Sequence, residues 1–265
     1  MWLKFLGTCG GRFAVVRQIR ASGGFIVNMG NEYIHIDPGP GAVARAKQFG
    51  FDIEKVSMLL ISHSHPDHYT DAEIVIEAMT SGTKKKRGVV VGNSYLAKAN
   101  GNHRQLISPY HLDAVERYFI LEPGRSIKVK GLEITATPTR HEEGEGMGFV
   151  INDGSEQFGY TADTAYFDGL GGYFKGCDVL VINVMKPDGK LLKGHMNTEQ
   201  AALLIDETRP RLAIIQHFGI EMLFSHPERQ AKYIESKTGT RVIAAKDGME
   251  IDTKREIKGG LGRYL

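Results

Sequence analysis

The chain has 265 residues, 33 Lys and Arg against 31 Asp and Glu, a formal net charge of +2 and a pI near 8.4. That profile is less basic than a dedicated nucleic-acid-binding domain requires, and no apolar run approaches the roughly 18 residues of a membrane-spanning helix. Apolar residues make up 42% of the sequence, and no linker, low-complexity tract or internal repeat divides it, so residues 1–265 are expected to form one α/β domain.

MWLKFLGT reads as a first strand, too short and too quickly polar for a secretory signal. Cys9 and Cys177 lack Cys-x-x-Cys spacing and are expected to be buried free thiols in a reducing cytoplasm. A strand over Met58–Ile61 leads into Ser-His-Ser-His-Pro-Asp-His at 62–68, which sets four metal-ligand side chains within six positions. In extended chain His63 and His65 point the same way, while Asp67 and His68 follow in a turn that can aim them at a second point. Thr70 and Glu73 predict a capping box opening a helix with Ala72, Val75, Ile76 and Met79 on its apolar face, ended by Gly82. The basic run 84–87 reads as a solvated loop, and the irregular stretch 100–112 offers His103, Arg104, Tyr110 and His111 as candidate substrate contacts.

Three later segments read as strands that end in further ligand types. LEITAT at 132–137 leads to His141, FGYT at 158–161 to Asp163, and LAII at 212–215 through Gln216 to His217. The acidic run 142–146 follows His141 and would repel a polyanion that approached it. Val179–Val184 is a continuous apolar strand, as expected when both faces are covered. Asn197 with Gln200, and Ser225 with Glu228, predict two more helix starts, Pro227 being tolerated in a first turn. His35 and His226 read as structural. Ligands placed just past strand ends converge because neighbouring strands share one sheet edge, and a catalytic zinc takes about three protein ligands, leaving room for water.

His-x-His-x-Asp-His at 63–68, followed in order by His141, Asp163 and His217, resembles the metallo-β-lactamase fold hydrolases, and FLGTCGG at 5–11, IDPGPG at 36–41 and AAKDGMEI at 244–251 extend the resemblance over nearly the whole chain. The resemblance implies a four-layer αββα sandwich with a dinuclear site at one edge of two sheets. His63, His65 and His141 would hold one metal, Asp67, His68 and His217 the other, and Asp163 would bridge them. Two zinc ions are the expected cofactors, with manganese or iron as alternatives for such a donor set. Asp37 reads as a buried carboxylate that orients the metal-bearing loop.

His195, in Gly-His-Met-Asn-Thr at 194–198, resembles the phosphate-contacting histidine of two branches of the fold, the tRNA 3′-processing endonucleases and the phosphonate-pathway cyclic phosphodiesterases. The resemblance implies a phosphodiesterase on a small, cyclic or single-stranded phosphodiester. A metal-bound hydroxide would attack, with Asp67 and His195 as catalytic residues and His195 as general acid. The sequence departs from both branches. Only 21 residues separate His141 from Asp163, too few for the endonucleases' long arm; their Pro-x-Lys-x-Arg-Asn loop is absent; and Arg12–Asn31 holds no cysteine for an extra structural zinc. The expected partner is therefore a small or short nucleotide substrate rather than long nucleic acid, with no membrane and with a homodimer allowed. A lactonase or thioesterase on the same metals is the main alternative. A non-catalytic metal-binding protein and a redox diiron protein weigh less, because all seven ligands are present and His65 stands where the diiron class carries glutamate.

Overall fold

The computed structural model describes residues 1–99, 104–141 and 146–261, with side chains as far as residue 257. In chain order the strands are β1 (Trp2–Phe5), β2 (Phe25–Met29), β3 (Glu32–Ile36), β4 (Met58–Leu60), β5 (Val89–Gly92), β6 (Arg117–Ile120), β7 (Ser126–Val129) and β8 (Leu132–Pro138). They continue with β9 (Met147–Asn152), β10 (Gln157–Tyr160), β11 (Val179–Lys186), β12 (Met196–Asn197), β13 (Leu212–Gln216), β14 (Val242–Ala244) and β15 (Glu250–Asp252). One sheet runs β15-β1-β2-β3-β4-β5-β6; the other runs β14-β13-β11-β10-β9-β8-β7, with β12 paired to β11.

Side-chain alternation along the strands explains the layers. On β4, Met58 and Leu60 enter the core between the sheets, while Leu59 joins the outer cluster under helices Ala42–Gln48 and Ala72–Met79. On β11, Val179 and Val181 face the inter-sheet core, and Leu180, Ile182 and Val184 pack under helices Leu170–Phe174, Thr198–Thr208 and Pro227–Thr238. A strand buried on both faces is apolar at nearly every position, which is why these runs read as near-continuous, Asn183 being the exception on β11. Each such side chain contributes about 1.5–3 kcal/mol on burial. The result is the expected αββα sandwich. Both cysteines are buried and unpaired. Among the described residues no helix is long and apolar enough to cross a membrane.

Within each sheet the strands that precede the candidate ligands run in one direction. β3, β4, β5 and β6 are parallel neighbours, as are β10, β11, β13 and β14, and β8 and β10 both run antiparallel to β9.

Two predicted caps do not form. The Thr70 hydroxyl donates to the Pro66 carbonyl, and Glu73 accepts from the Ser108 backbone, so helix Ala72–Met79 opens at Asp71 without a side-chain cap. That helix ends at Met79, before Gly82. Helix Pro227–Thr238 opens at His226, in a left-handed conformation, rather than at Ser225. The third prediction stands: Asn197 and Gln200 form a reciprocal capping box.

Candidate metal centre

The loop after β4 changes its geometry midway. His65 is still extended, and Pro66 then starts the short helix Pro66–Tyr69. The change from a strand period to a helical turn gives Asp67 and His68 a different aim from His63 and His65, while the His68 ring stays 4.1 Å from that of His63.

The structure gathers all seven expected ligands. His63, His65 and His141 form one group, and Asp67, His68 and His217 another, each with its ligand atoms within 4.8 Å of one another. In the first group the His65 and His141 rings stand 4.9 Å apart, and His141 Nε2 lies 3.1 Å from His65 Nδ1. Asp163 lies between the groups: its Oδ2 is 4.0 Å from His63 Nε2, 3.5 Å from His68 Nε2 and 3.1 Å from His217 Nε2. Asp67 Oδ2 is 3.7 Å from His68 Nε2 and 4.0 Å from His217 Nε2.

A metal suits this donor set on the evidence of unpartnered atoms. His63 Nε2, His68 Nε2 and His217 Nε2 are buried and make no hydrogen bond. A buried polar atom without a partner costs roughly 1–3 kcal/mol, and three of them aimed at one carboxylate are what ligation would relieve. Burial, and then the charge of His68, hold His63 well below the usual histidine range; burial likewise lowers His65. Both rings therefore keep a lone pair for a cation. Burial opposes charge on His68 and on Asp163, but each is overruled. Asp67, Asp163 and Asp37 raise His68 well above its ordinary value, while His217, His68 and His195 hold Asp163 well below the carboxylate range. Asp37, Ala162 and His217 also adopt left-handed backbone. For non-glycine residues that conformation costs on the order of 1–3 kcal/mol and gathers at functional sites.

Asp37 lies beneath the loop, as expected. It accepts from the Ser62 backbone N–H (2.7 Å), the Ser62 hydroxyl (2.7 Å), His68 Nδ1 (2.8 Å) and the Tyr160 hydroxyl (2.8 Å). Beyond it runs a buried chain that the sequence reading missed. Asn183 Nδ2 donates to the Tyr160 hydroxyl (3.1 Å) and to Asp163 Oδ1 (2.7 Å), and Gln216 Nε2 donates to Asn183 Oδ1 (3.0 Å). The available signal was polar residues at 183 and 216 inside otherwise apolar strands.

His195 arrives from the connection between β11 and β12. Its ring lies 4.7 Å from that of His141, and its Nδ1 is 3.7 Å from Asp163 Oδ2. Burial, against the pull of Asp163, lowers its pKa to about 4. With His65, Asp67 and Asp163 it lines an open cleft of about 870 Å³.

Of the 100–112 candidates, Arg104, Tyr110 and His111 do not line this cleft. Tyr110 bonds to Thr83 (2.8 Å), His111 lies 3.2 Å from both Glu73 and Glu77, and Arg104 donates to the Tyr69 hydroxyl (3.2 Å). Their partners lie on helix Ala72–Met79, in the turn that follows it and at Tyr69. His103 and residues 142–145 fall outside the described residues. Lys84, Lys85 and Lys86 are exposed as expected, whereas Arg87 is tied to the Glu54 and Met79 carbonyls. His35 is buried and structural, with Nε2 2.9 Å from the Gly23 carbonyl.

A family model described as a beta-lactamase superfamily domain matches residues 32–218. The uncharacterized protein MJ1374 of Methanocaldococcus jannaschii is 37% identical, covering 94% of this chain and 93% of its own length. The UPF0173 metal-dependent hydrolase LI0883 of Lawsonia intracellularis is 27% identical over 88% of this chain and 95% of its own. Among solved structures, the metallo-beta-lactamase fold protein YhfI of Bacillus subtilis superposes with a TM-score of 0.75 at 20% identity, covering 94% and 98% of the two chains. A diphosphatase from the PhnP family does so with 0.70 at 16% identity (95% and 97%), and the short form of human tRNase Z with 0.69 at 16% identity (95% and 99%). The chain belongs to the beta-lactamase superfamily.

Proposed function

We propose that the protein is a dinuclear metal-dependent hydrolase, and specifically a phosphodiesterase acting on a small, cyclic or single-stranded phosphodiester. The observation that carries this reading is His195, delivered by a separate connection to within 3.7 Å of Asp163 and lining the same cleft as His65 and Asp67. Acyl hydrolysis on the same metals has no need of that histidine. Relatives named as metal-dependent hydrolases, and structural neighbours named as a PhnP-family diphosphatase and tRNase Z, support the reading.

His63, His65 and His141 would hold one ion, Asp67, His68 and His217 the second, with Asp163 shared; zinc suits the donors, and manganese or iron are alternatives. When bound, the pair supplies a water of lowered pKa and a polarised phosphoryl oxygen. Two divalent ions over two carboxylates leave the pocket positive, which favours an anionic diester. Asp67 is held beside His68 and His217 with part of its carboxylate toward the cleft, where it can orient water. Asp37 accepts from His68 Nδ1, which fixes that ring with Nε2 toward the centre. Burial lowers the His195 pKa and so favours the neutral ring before substrate arrives. The negative charge of a phosphodiester beside it favours the protonated ring, the form able to protonate a leaving oxygen.

The deciding experiment is turnover of bis-(p-nitrophenyl) phosphate and of uridine 2′,3′-cyclic phosphate, beside a lactone and a thioester, for metal-loaded wild type and His195→Ala. General-acid help is worth about 10²–10⁴-fold, so the alkoxide-releasing cyclic phosphate should lose more than the nitrophenyl ester. Turnover of the acyl substrates alone, indifferent to His195, would overturn the phosphodiesterase reading in favour of a lactonase or thioesterase.

A further inference from the structure

The cleft that holds the histidine cluster has a second wall of different chemistry. Helix Arg12–Val16 borders it and buries only Ala14. Phe13 is 76% exposed and Val16 83% exposed. Phe13, Val16 and Arg17 are spaced i, i+3, i+4 and so share one face of the turn. Met185, Leu192 and Ile220 continue the apolar lining toward His195 and Asp67. Together these side chains make one contiguous apolar wall beside the histidine cluster, which is the kind of exposed patch that marks a binding groove. The helix starts close against Met185: Gly11 is left-handed, and a β-carbon there would meet Met185 Sδ at 2.9 Å.

We propose that this wall binds a flat aromatic substituent of the substrate, with Phe13 as the specificity-determining residue and Arg17 flanking it. This deepens, and rests on, the phosphodiesterase reading: the anionic phosphate sits at the histidine cluster, and the ring lies against Phe13. Three features select an aromatic group over an alkyl chain. A phenyl face stacks on another ring, and a guanidinium on the same face adds a cation–π partner. The Met185 thioether, which lines the same cleft, also favours a ring edge. A nucleobase and a simple aryl group share this chemistry, so the test carries both.

The test is calorimetric binding to zinc-loaded full-length protein, wild type and Phe13→Ala, of four diesters, with hydrolysis of each followed during the titration and its heat subtracted. The probes are diphenyl phosphate, cyclic AMP, dibutyl phosphate and dimethyl phosphate. Base–aromatic stacking corresponds to about 5–150-fold in affinity per ring. Wild type should therefore bind an aromatic diester at least tenfold more tightly than dimethyl phosphate, and Phe13→Ala should remove most of that ratio. Phe13 is exposed, so the variant should fold as wild type does. Tighter binding of diphenyl phosphate than of cyclic AMP would identify an aryl ester as the source, and the reverse a nucleotide. The proposal is overturned if the aromatic and methyl diesters bind alike, if none binds, if dibutyl phosphate binds more tightly than both aromatic probes, or if Phe13→Ala changes all four equally. It is also overturned if that substitution shifts a dimer to monomer with probe affinities unchanged. The two readings fail separately. An aromatic preference without turnover of any diester would remove the phosphodiesterase reading alone; turnover without the preference would remove the wall.

Discussion

Gly10 stands against the imidazole of His217 so closely that a β-carbon on it would come within 2.3 Å of His217 Cδ2 and 2.5 Å of the His217 carbonyl oxygen. The contact joins the two sheets. The Gly10 N–H donates to the Phe218 carbonyl (3.0 Å), and the Phe218 N–H donates to the Thr8 carbonyl (2.8 Å). The segment leaving β1 therefore braces the residue leaving β13, and His217 holds its left-handed backbone, with a φ of 61°, against that brace.

Gly10→Ala should displace His217 and weaken retention of one ion far more than of the other. Supporting positions of this kind change metal affinity by about 10–100-fold. Metal content after dialysis against a graded chelator would measure it, with far-UV circular dichroism as the check on folding. Two equally retained ions in the variant would show that His217 is not a ligand.

Asp37→Asn presents amide N–H groups where four donors now converge. Asparagine tolerates the left-handed backbone at this position, so the effect should come from the lost acceptor. Leaving buried donors unmatched costs on the order of 2 kcal/mol, which urea unfolding would register. Metal affinity should fall in parallel as His68 loses its fixed tautomer. A stable variant with unchanged affinity would remove Asp37 from the orienting role.

Asp163→Ala and His63→Ala should each abolish metal-dependent hydrolysis while leaving the fold intact. Both residues stand just past strand ends, His63 after β4 and Asp163 after β10. In wild type, stripping metal should lower the melting temperature and restoring zinc should raise it, because a ligand that binds only the native state stabilises it. Full activity and two ions in either variant would defeat the dinuclear assignment.

His35 sets a pH dependence of its own. Burial lowers it to about 4 from an ordinary 6.5, and its Nδ1 has no partner. The folded state thus prefers the neutral ring. The stability tied to that preference is complete above pH 6.5 and is lost as the pH falls toward 4. The full loss is on the order of 3 kcal/mol. Urea midpoints at pH 7.5, 5.5 and 4.5 should fall more steeply for wild type than for His35→Gln, which cannot titrate. Parallel slopes would mean that His35 does not couple folding to protons.

The sequence by itself marked the candidate ligands, because the signals that single them out are local. Two histidines at i and i+2, a turn and the residues just past strand ends depend on backbone periodicity within a few positions, and the Asn197–Gln200 cap closes within one helical turn. Tertiary structure alone decided the rest. Thr70 and Glu73 have the same cap spacing, yet Glu73 is taken by Ser108, 35 residues away. Asp37 finds Tyr160 across 123 positions, Asn183 meets Gln216 across 33, and Gly10 seats His217 through the pairing of Cys9 with Phe218. These partners are set by strand register and by the stacking of two sheets. No short window of chain encodes them, because a hydrogen bond or a steric contact depends on distance in space rather than along the sequence.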